Sequence, residues 1–481
     1  MIKIIKRYKF WVLPLFLFIS QAVYTFNSMG QIRYEELAES VRNPFWFQNR
    51  LMFDGLSGSL SWYGFQALVY NIFGFHLFAA KVIRLILAGI SIFCLAGILK
   101  KYLGIRNGLI PLLAIGISPT LLYFNILQTT YGMDLQFLPI CLYLLSRIYQ
   151  NPQKTLNHIL LWMLVMIAWL CYPNFVFYIP ALGVVDYVIL RGSKIQSKSK
   201  KVSFSIIAFL SPLLIVFFYI KNRQDLIYDP VAKSGLFRGG VKSGLDFSSL
   251  WPSLQVTLGD LFQKGNSYYF ELKNAEFSGY YPITAVLLVV AASFYIFFTL
   301  KKIRLILGVI YLTVLLTIFL GHSAGDSVFS GIRRATPLLV SFYILYSIVW
   351  SFILKLKIKM KFLKFSLVCL LLLLPLHHLL VYPENLLFLK RYSPYRNQGW
   401  FAVGSSPEKS LDILVSQVQK DDLKLACKDN KGQTNLCRYQ EVYAAVAGSC
   451  LWNRLECHKI LGYDERTKKM IPLSVELLDP D

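Results

Sequence analysis

The chain is built from apolar runs of roughly 17–22 residues, the length at which a helix crosses about 30 Å of hydrocarbon. Eleven such runs stand near 10–26, 79–99, 108–124, 132–149, 159–173, 174–190, 202–220, 281–300, 305–321, 335–353 and 365–382. Inside a bilayer each backbone N–H and C=O needs an internal partner, which leaves helices as the structure for segments of this kind. Composition agrees: 56% of the 481 residues are hydrophobic and 16% are charged. That is more apolar surface than one water-soluble core of this length can hide. A soluble enzyme, a disordered chain and a fibrous protein are excluded. The expected fold is an all-α polytopic membrane protein of about 11 transmembrane helices over residues 1–390, followed by a small soluble domain over 391–481.

The net charge of +24 is explained by where the charges fall. Between alternate runs lie Lys3/Lys6/Arg7/Lys9, Lys100/Lys101/Arg106, Arg147/Lys154, Arg191/Lys194/Lys198/Lys200/Lys201, Lys301/Lys302/Arg304 and Lys355/Lys357/Lys359/Lys361/Lys364. These six clusters hold 22 of the 50 basic residues, and Asp186 is the one acid near them. Short basic loops stay in the cytoplasm, so the N-terminus is expected inside and, after eleven spans, the C-terminus outside. The expected location is the cytoplasmic (inner) membrane. The positive excess serves topology and attraction to anionic membrane lipids, with no nucleic-acid partner. The first run, with its basic start and its Ser20-Gln21-Ala22 triplet, also reads as a signal peptide. Apolar character continues through Phe26, which favours a retained anchor.

Three polar segments fall on the outer face in this topology: the loops 27–78 and 221–280, and the tail. The stretch Trp62 to Phe78 is half apolar with helical period, as expected of a segment lying along the interface. Cys94, Cys141, Cys171 and Cys369 sit in apolar runs as small hydrophobes. Cys427, Cys437, Cys450 and Cys457 lie in the tail, without Cys-x-x-Cys spacing. An even number of cysteines in an exported segment points to two disulfides. Three connectivities are open, with Cys427–Cys437 and Cys450–Cys457 preferred.

Ionisable groups at a membrane face are costly unless paired or functional, and the outer-face candidates are few. Glu35 and Glu36 follow the first span; a carboxylate there suits a general base, and it equally suits the first turn of a surface helix. Asp134 opens the fourth span and needs a partner at that depth; it is a catalytic candidate beside the two glutamates, and it equally suits simple snorkelling to the interface. Arg84, at the corresponding edge of the second span, is the candidate counter-ion, in the site or in a purely structural pair. Arg333 and Arg334 precede the tenth span. Adjacent guanidinium groups suit a phosphate, and they also suit plain anchoring to headgroups. His322, in the outer loop before Arg333, is a further substrate-binding candidate, and no second histidine stands at metal-ligand spacing to it. The chain carries no P-loop, dinucleotide fingerprint, zinc motif or Gly-x-Ser-x-Gly elbow.

The order of these features resembles the GT-C membrane glycosyltransferases, in the protein-mannosyltransferase and aminoarabinose-transferase-like branch. Beside the acidic pair and the interfacial stretch, the matching residues are Tyr70-Asn71-Ile72-Phe73-Gly74, Ala80-Lys81-Val82-Ile83-Arg84-Leu85 and Ala88-Gly89. They continue with Ser118-Pro119 in the third span and Asp134 at the start of the fourth. The resemblance covers roughly residues 1–190. It implies a GT-C-like fold and a transferase that takes a sugar from a polyprenyl-phosphate donor to a glycan, lipid or protein acceptor. It places the acidic pair on Glu35 and Glu36, with Glu35 as base, and the contacts to the lipid phosphate on Arg84 or Arg333/Arg334. Two departures stand out: the usual Asp-Glu pair reads Glu-Glu, and an arginine common between the Ser-Pro and the Asp is replaced by Gln128 or Thr129. Some GT-C relatives use a divalent cation, yet the acids here form no dense cluster that demands one. Two other classes compete: a polymerase or ligase of lipid-linked polysaccharide, and a transporter or flippase. The latter calls for mid-span charges and paired repeats with broken helices.

Overall fold

A computed structural model of the chain describes residues 2–27, 60–73, 79–126, 132–192, 281–323, 336–356, 361–391, 461–464 and 469–472, with single positions at 203, 210 and 214. The described helices are α1 (Ile2–Asn27), α2 (Leu60–Phe73), α3 (Ala79–Leu103), α4 (Ile105–Gly116), α5 (Pro119–Ile126), α6 (Asp134–Gln150), α7 (Thr155–Cys171) and α8 (Ile179–Gly192). They continue with α9 (Ile283–Thr299), α10 (Lys301–Ser323), α11 (Thr336–Lys355) and α12 (Lys361–Arg391); a 3-10 turn, Pro173–Tyr178, links α7 to α8. Strands β1 (Leu461–Asp464) and β2 (Lys469–Pro472) pair antiparallel, Leu461 opposite Pro472, and stand inside the expected C-terminal domain.

Ten of the eleven apolar runs coincide with described helices; most of the run 202–220 lies outside the described residues. Among the described residues, five segments are long and apolar enough to cross a membrane: Phe10–Asn27, Ala79–Leu103, Phe175–Gly192, Thr336–Lys355 and Lys361–Leu387. The protein is a helical, polytopic, integral membrane protein. The eleventh run differs from expectation in extent, because α12 continues to Arg391. Leu386 and Leu387 prolong its apolar character beyond Tyr382.

Helix α11 is the pillar of one core, with Leu339, Phe342, Tyr346, Val349 and Trp350 packed against α4, α9 and α12. Its face also repairs neighbouring helices. A proline removes one backbone donor and leaves the carbonyl four residues earlier without a partner. Pro111 in α4 frees the carbonyl of Asn107, and Trp350 Nε1 donates to it at 3.0 Å. Pro375 in α12 frees the carbonyl of Leu371, and Tyr346 OH donates to it at 3.0 Å. Two side chains four residues apart on α11 thus satisfy two proline-freed carbonyls on its two neighbours.

The third span is broken. Helix α4 ends at Gly116, and α5 starts at Pro119. The last four carbonyls of a helix have no partner within it, which in hydrocarbon costs several kcal/mol for each group left bare. All four are supplied here. Leu113 and Ile115 accept from the amides of Ile117 and Ser118, each at 3.1 Å. Ala114 accepts from His378 Nδ1 at 2.9 Å, and Gly116 from Gln21 Nε2 at 3.1 Å. The Ser118-Pro119 pair then restarts the helix. Serine serves as N-cap, its carbonyl accepting from Leu122 at 2.9 Å, and proline takes the first position, where its missing N–H costs nothing.

Basic residues of the six clusters cap helix ends. Lys101 Nζ donates to the carbonyl of Ser146 at 3.1 Å, Arg304 Nε to that of Phe297 at 3.0 Å, and Lys364 Nζ to that of Leu354 at 2.7 Å. Cations favour the C-terminal, negative end of the helix dipole. The Lys101 contact also sets the C-terminal ends of α3 and α6 side by side, so both helices begin at the opposite end. Asp186, the lone acid near these clusters, is fully buried: it accepts from Trp162 Nε1 at 3.0 Å and lies 3.2 Å from His158 Nδ1, which ties α7 to α8.

Candidate functional site

At the end of the bundle away from Lys101, four elements meet. Trp62 and Tyr63 of α2, Ala80 of α3, Met133 and Phe137 at the start of α6, and Tyr178 of the 3-10 turn share one buried cluster. Among the described residues, three charged side chains at this end have no exposed surface: Lys81 and Arg84 on α3 and Asp134 on α6.

The entry to α6 is set by Gly132, which has φ +72°. A left-handed residue is cheap for glycine alone. A Cβ there would also stand 2.5 Å from the ring of Phe124. The turn brings Asp134 to the first position of α6, where the helix dipole favours a carboxylate. Tyr178 OH donates to Asp134 Oδ2 at 2.8 Å, and Thr336 at the head of α11 supplies a second side-chain hydrogen bond. Oδ1 has no hydrogen-bond partner among the described residues. The expected pairing with Arg84 is replaced: among the described residues no ion pair joins the two, and hydroxyl donors from the 3-10 turn and α11 hold the carboxylate instead.

Gly132→Ala is expected to destabilise the protein by about 2–5 kcal/mol, the sum of roughly 1–2 for the left-handed backbone and about 1–3 for overpacking against Phe124. The free energy of unfolding in detergent–denaturant titrations measures it.

Behind Asp134 runs a chain of amides. Gln136 Nε2 donates to Asn125 Oδ1 at 2.5 Å, Asn125 Nδ2 to Gln21 Oε1 at 2.6 Å, and Gln21 to the carbonyl of Gly116. A second cluster joins Ser118, Tyr281 and Tyr343, with Tyr281 OH 3.0 Å from both other hydroxyls and His378 edge-on to its ring. These residues fix the broken span against α1, α6, α11 and α12. Sequence reasoning passed over Tyr178, Thr336 and Lys81; of the three, Lys81 carried a signal, a charge one helical turn from Arg84 inside an apolar run.

Glu35, Glu36, Gln128, Thr129, Arg333, Arg334 and the four tail cysteines, Cys427, Cys437, Cys450 and Cys457, lie outside the described residues. His322 belongs to the last turn of α10, and its side chain is outside them too. The described cysteines, Cys94, Cys141, Cys171 and Cys369, are free thiols. Among the described residues no three His, Cys, Asp or Glu side chains gather to hold a metal ion.

An integral helical protein with charged groups buried at one end of its spans is the class that this geometry defines. Residues 60–217 match the family model of the dolichyl-phosphate-mannose-protein mannosyltransferases, a family of GT-C type membrane glycosyltransferases. The match spans α2 to α8 and bears out the resemblance read from Phe73-Gly74, Arg84, Ser118-Pro119 and Asp134. No curated protein matches the chain.

Proposed function

We propose that the protein is a GT-C type glycosyltransferase that moves a sugar from a polyprenyl-phosphate donor to an acceptor hydroxyl on the outer face of the membrane. The observation that carries this reading is the family match over residues 60–217, a segment that includes the buried groups Lys81, Arg84 and Asp134. Arg334 stands two residues before Thr336, which bonds Asp134. This closeness in sequence supports reading the Arg333/Arg334 pair as contacts to the same donor phosphate.

In this reaction the acceptor oxygen attacks the anomeric carbon and the carbon–oxygen bond to the phosphate breaks. The acceptor proton passes to a carboxylate, Glu35 in this reading, and polyprenyl phosphate leaves as the anion. Guanidinium and ammonium groups stabilise the charge that develops on that phosphate. A polyprenyl phosphate is already a good leaving group, so neither a nucleotide nor a strong acid is required. Asp134, tied to Tyr178 and Thr336, serves as a positioning residue that orders the α6 and α11 ends of the pocket.

The break in the third span also fits a transporter, in which bare carbonyls of a discontinuous helix coordinate ions. All four carbonyls at the break are occupied by protein donors, which favours a structural break and the enzyme reading.

A single base with opposite-face attack inverts the anomeric centre. Purified protein given a polyprenyl-phosphate sugar is expected to yield a product of inverted configuration, read by NMR of the anomeric proton. A product with retained configuration rejects the single-displacement mechanism, and no transfer from any polyprenyl-phosphate sugar rejects the assignment.

A further inference from the structure

A groove of about 900 Å³ runs along the outside of the bundle between α1, α3 and α6. One end of it is apolar, floored by Gly89 and Gly97 and walled by Phe18, Ile90 and Phe93. The other end carries Lys100, Lys101 and Arg147, and among the described residues no carboxylate lines it. At both glycines a neighbouring ring packs directly against α3. A Cβ at Gly89 would meet the ring of Phe18 at 2.8 Å, and one at Gly97 the ring of Tyr143 at 3.2 Å. Ile86 and Ile90 are among the exposed hydrophobics of α3, so the groove opens sideways to the acyl chains. From Ile86 to Lys101 it extends about 22 Å along the helix axis, a little more than one leaflet of hydrocarbon, about 15 Å.

The basic end is preorganised. Lys101 Nζ is held by the carbonyl and hydroxyl oxygens of Ser146 at 3.1 and 3.0 Å. Lys100 Nζ lies 5.1 Å from the ring centroid of Trp11, which itself stacks on Phe93. Arg147 is exposed.

We infer that this groove is a binding site for an anionic phospholipid of the cytoplasmic leaflet. One acyl chain lies along the apolar trough of Phe18, Ile86, Ile90 and Phe93, and the phosphodiester meets Lys100, Lys101 and Arg147. Charge complementarity commits the site to that occupant: three cations without an acid, at the depth where a headgroup sits above an apolar trough. Basic pockets between spanning helices on the cytoplasmic side recognise such headgroups. The inference is independent of the reaction catalysed and concerns the face away from Asp134.

Trp11, in the groove wall, is a built-in reporter. The full-length protein is reconstituted in phosphatidylcholine with a minor fraction of phosphatidylglycerol, the bromine label being placed on the acyl chains of one lipid or of the other. Subtracting the emission of Trp11→Phe isolates the Trp11 signal from that of the other tryptophans. Brominated phosphatidylglycerol is expected to quench that signal at a mole fraction at least five-fold lower than brominated phosphatidylcholine. Arg147→Gln should reduce the preference about five-fold, the worth of one basic residue near an anionic surface, and the triple Lys100→Gln/Lys101→Gln/Arg147→Gln should abolish it. Equal quenching by both lipids in the native protein overturns the inference, and so does a preference that survives Arg147→Gln undiminished. Should the triple variant fail to fold, Arg147→Gln decides alone, since this exposed side chain caps no helix.

Discussion

Glu35→Gln is expected to slow sugar transfer by about 100- to 10,000-fold, the usual worth of a positioned general base. Glutamine keeps the size and the hydrogen-bonding ability of the side chain and removes the basic oxygen, so the loss should fall on turnover with little change in the apparent affinity for the donor. Glu36→Gln should retain most of the native rate, because one carboxylate suffices to take the single proton released. The measurement is turnover of purified native, Glu35→Gln and Glu36→Gln proteins on the same polyprenyl-phosphate sugar. Equal turnover in all three removes both glutamates from the mechanism. A collapse in Glu36→Gln with Glu35→Gln unaffected exchanges their roles.

Gln21→Leu should cost roughly 2–6 kcal/mol of stability. The side chain donates to the carbonyl of Gly116 at 3.1 Å and accepts from Asn125 at 2.6 Å, and it is 2% exposed. Leucine fills the space but leaves a carbonyl and an amide N–H bare, each at about 1–3 kcal/mol. Asn125 passes the defect to Gln136, two residues from Asp134. Ser20→Ala is the matched control, because Tyr382 contacts residue 20 through its backbone carbonyl; its effect should stay within about 0.5 kcal/mol. The free energy of unfolding in detergent–denaturant titrations separates the two. A Gln21→Leu protein as stable as Ser20→Ala would show that the amide chain contributes nothing to the bundle.

Hydropathy alone placed ten of the described apolar helices, since the physics of a bilayer admits few alternatives for a run such as 79–99. It missed the interruption between Gly116 and Pro119. A run of apolar residues looks continuous to a sliding window, and the donors that make the break tolerable come from Gln21 and His378, distant in the chain. Gln21 read as part of a cleavage triplet, while the structure buries it within α1. Arg84 and Asp134 stood out because a charge in an apolar run needs a reason. Their mutual pairing did not follow, because hydroxyls can hold a buried carboxylate as well as a cation can. In a chain whose residues are 15% aromatic, Tyr178 is one tyrosine among many, and its bond to Asp134 depends on the 3-10 turn that ends beneath it. Lys81 was visible and was passed over in favour of the arginine one turn away.

The capped break between α4 and α5 also bears on the order in which the protein is assembled. Its Ala114 carbonyl waits for a histidine 264 residues later in the chain, and Tyr24 and Ser20 of α1 wait for Tyr382 across 358 and 362 residues. During synthesis these three groups therefore enter the lipid before their partners on α12 have been made. That helix acts as the closing pin of a structure begun by α1.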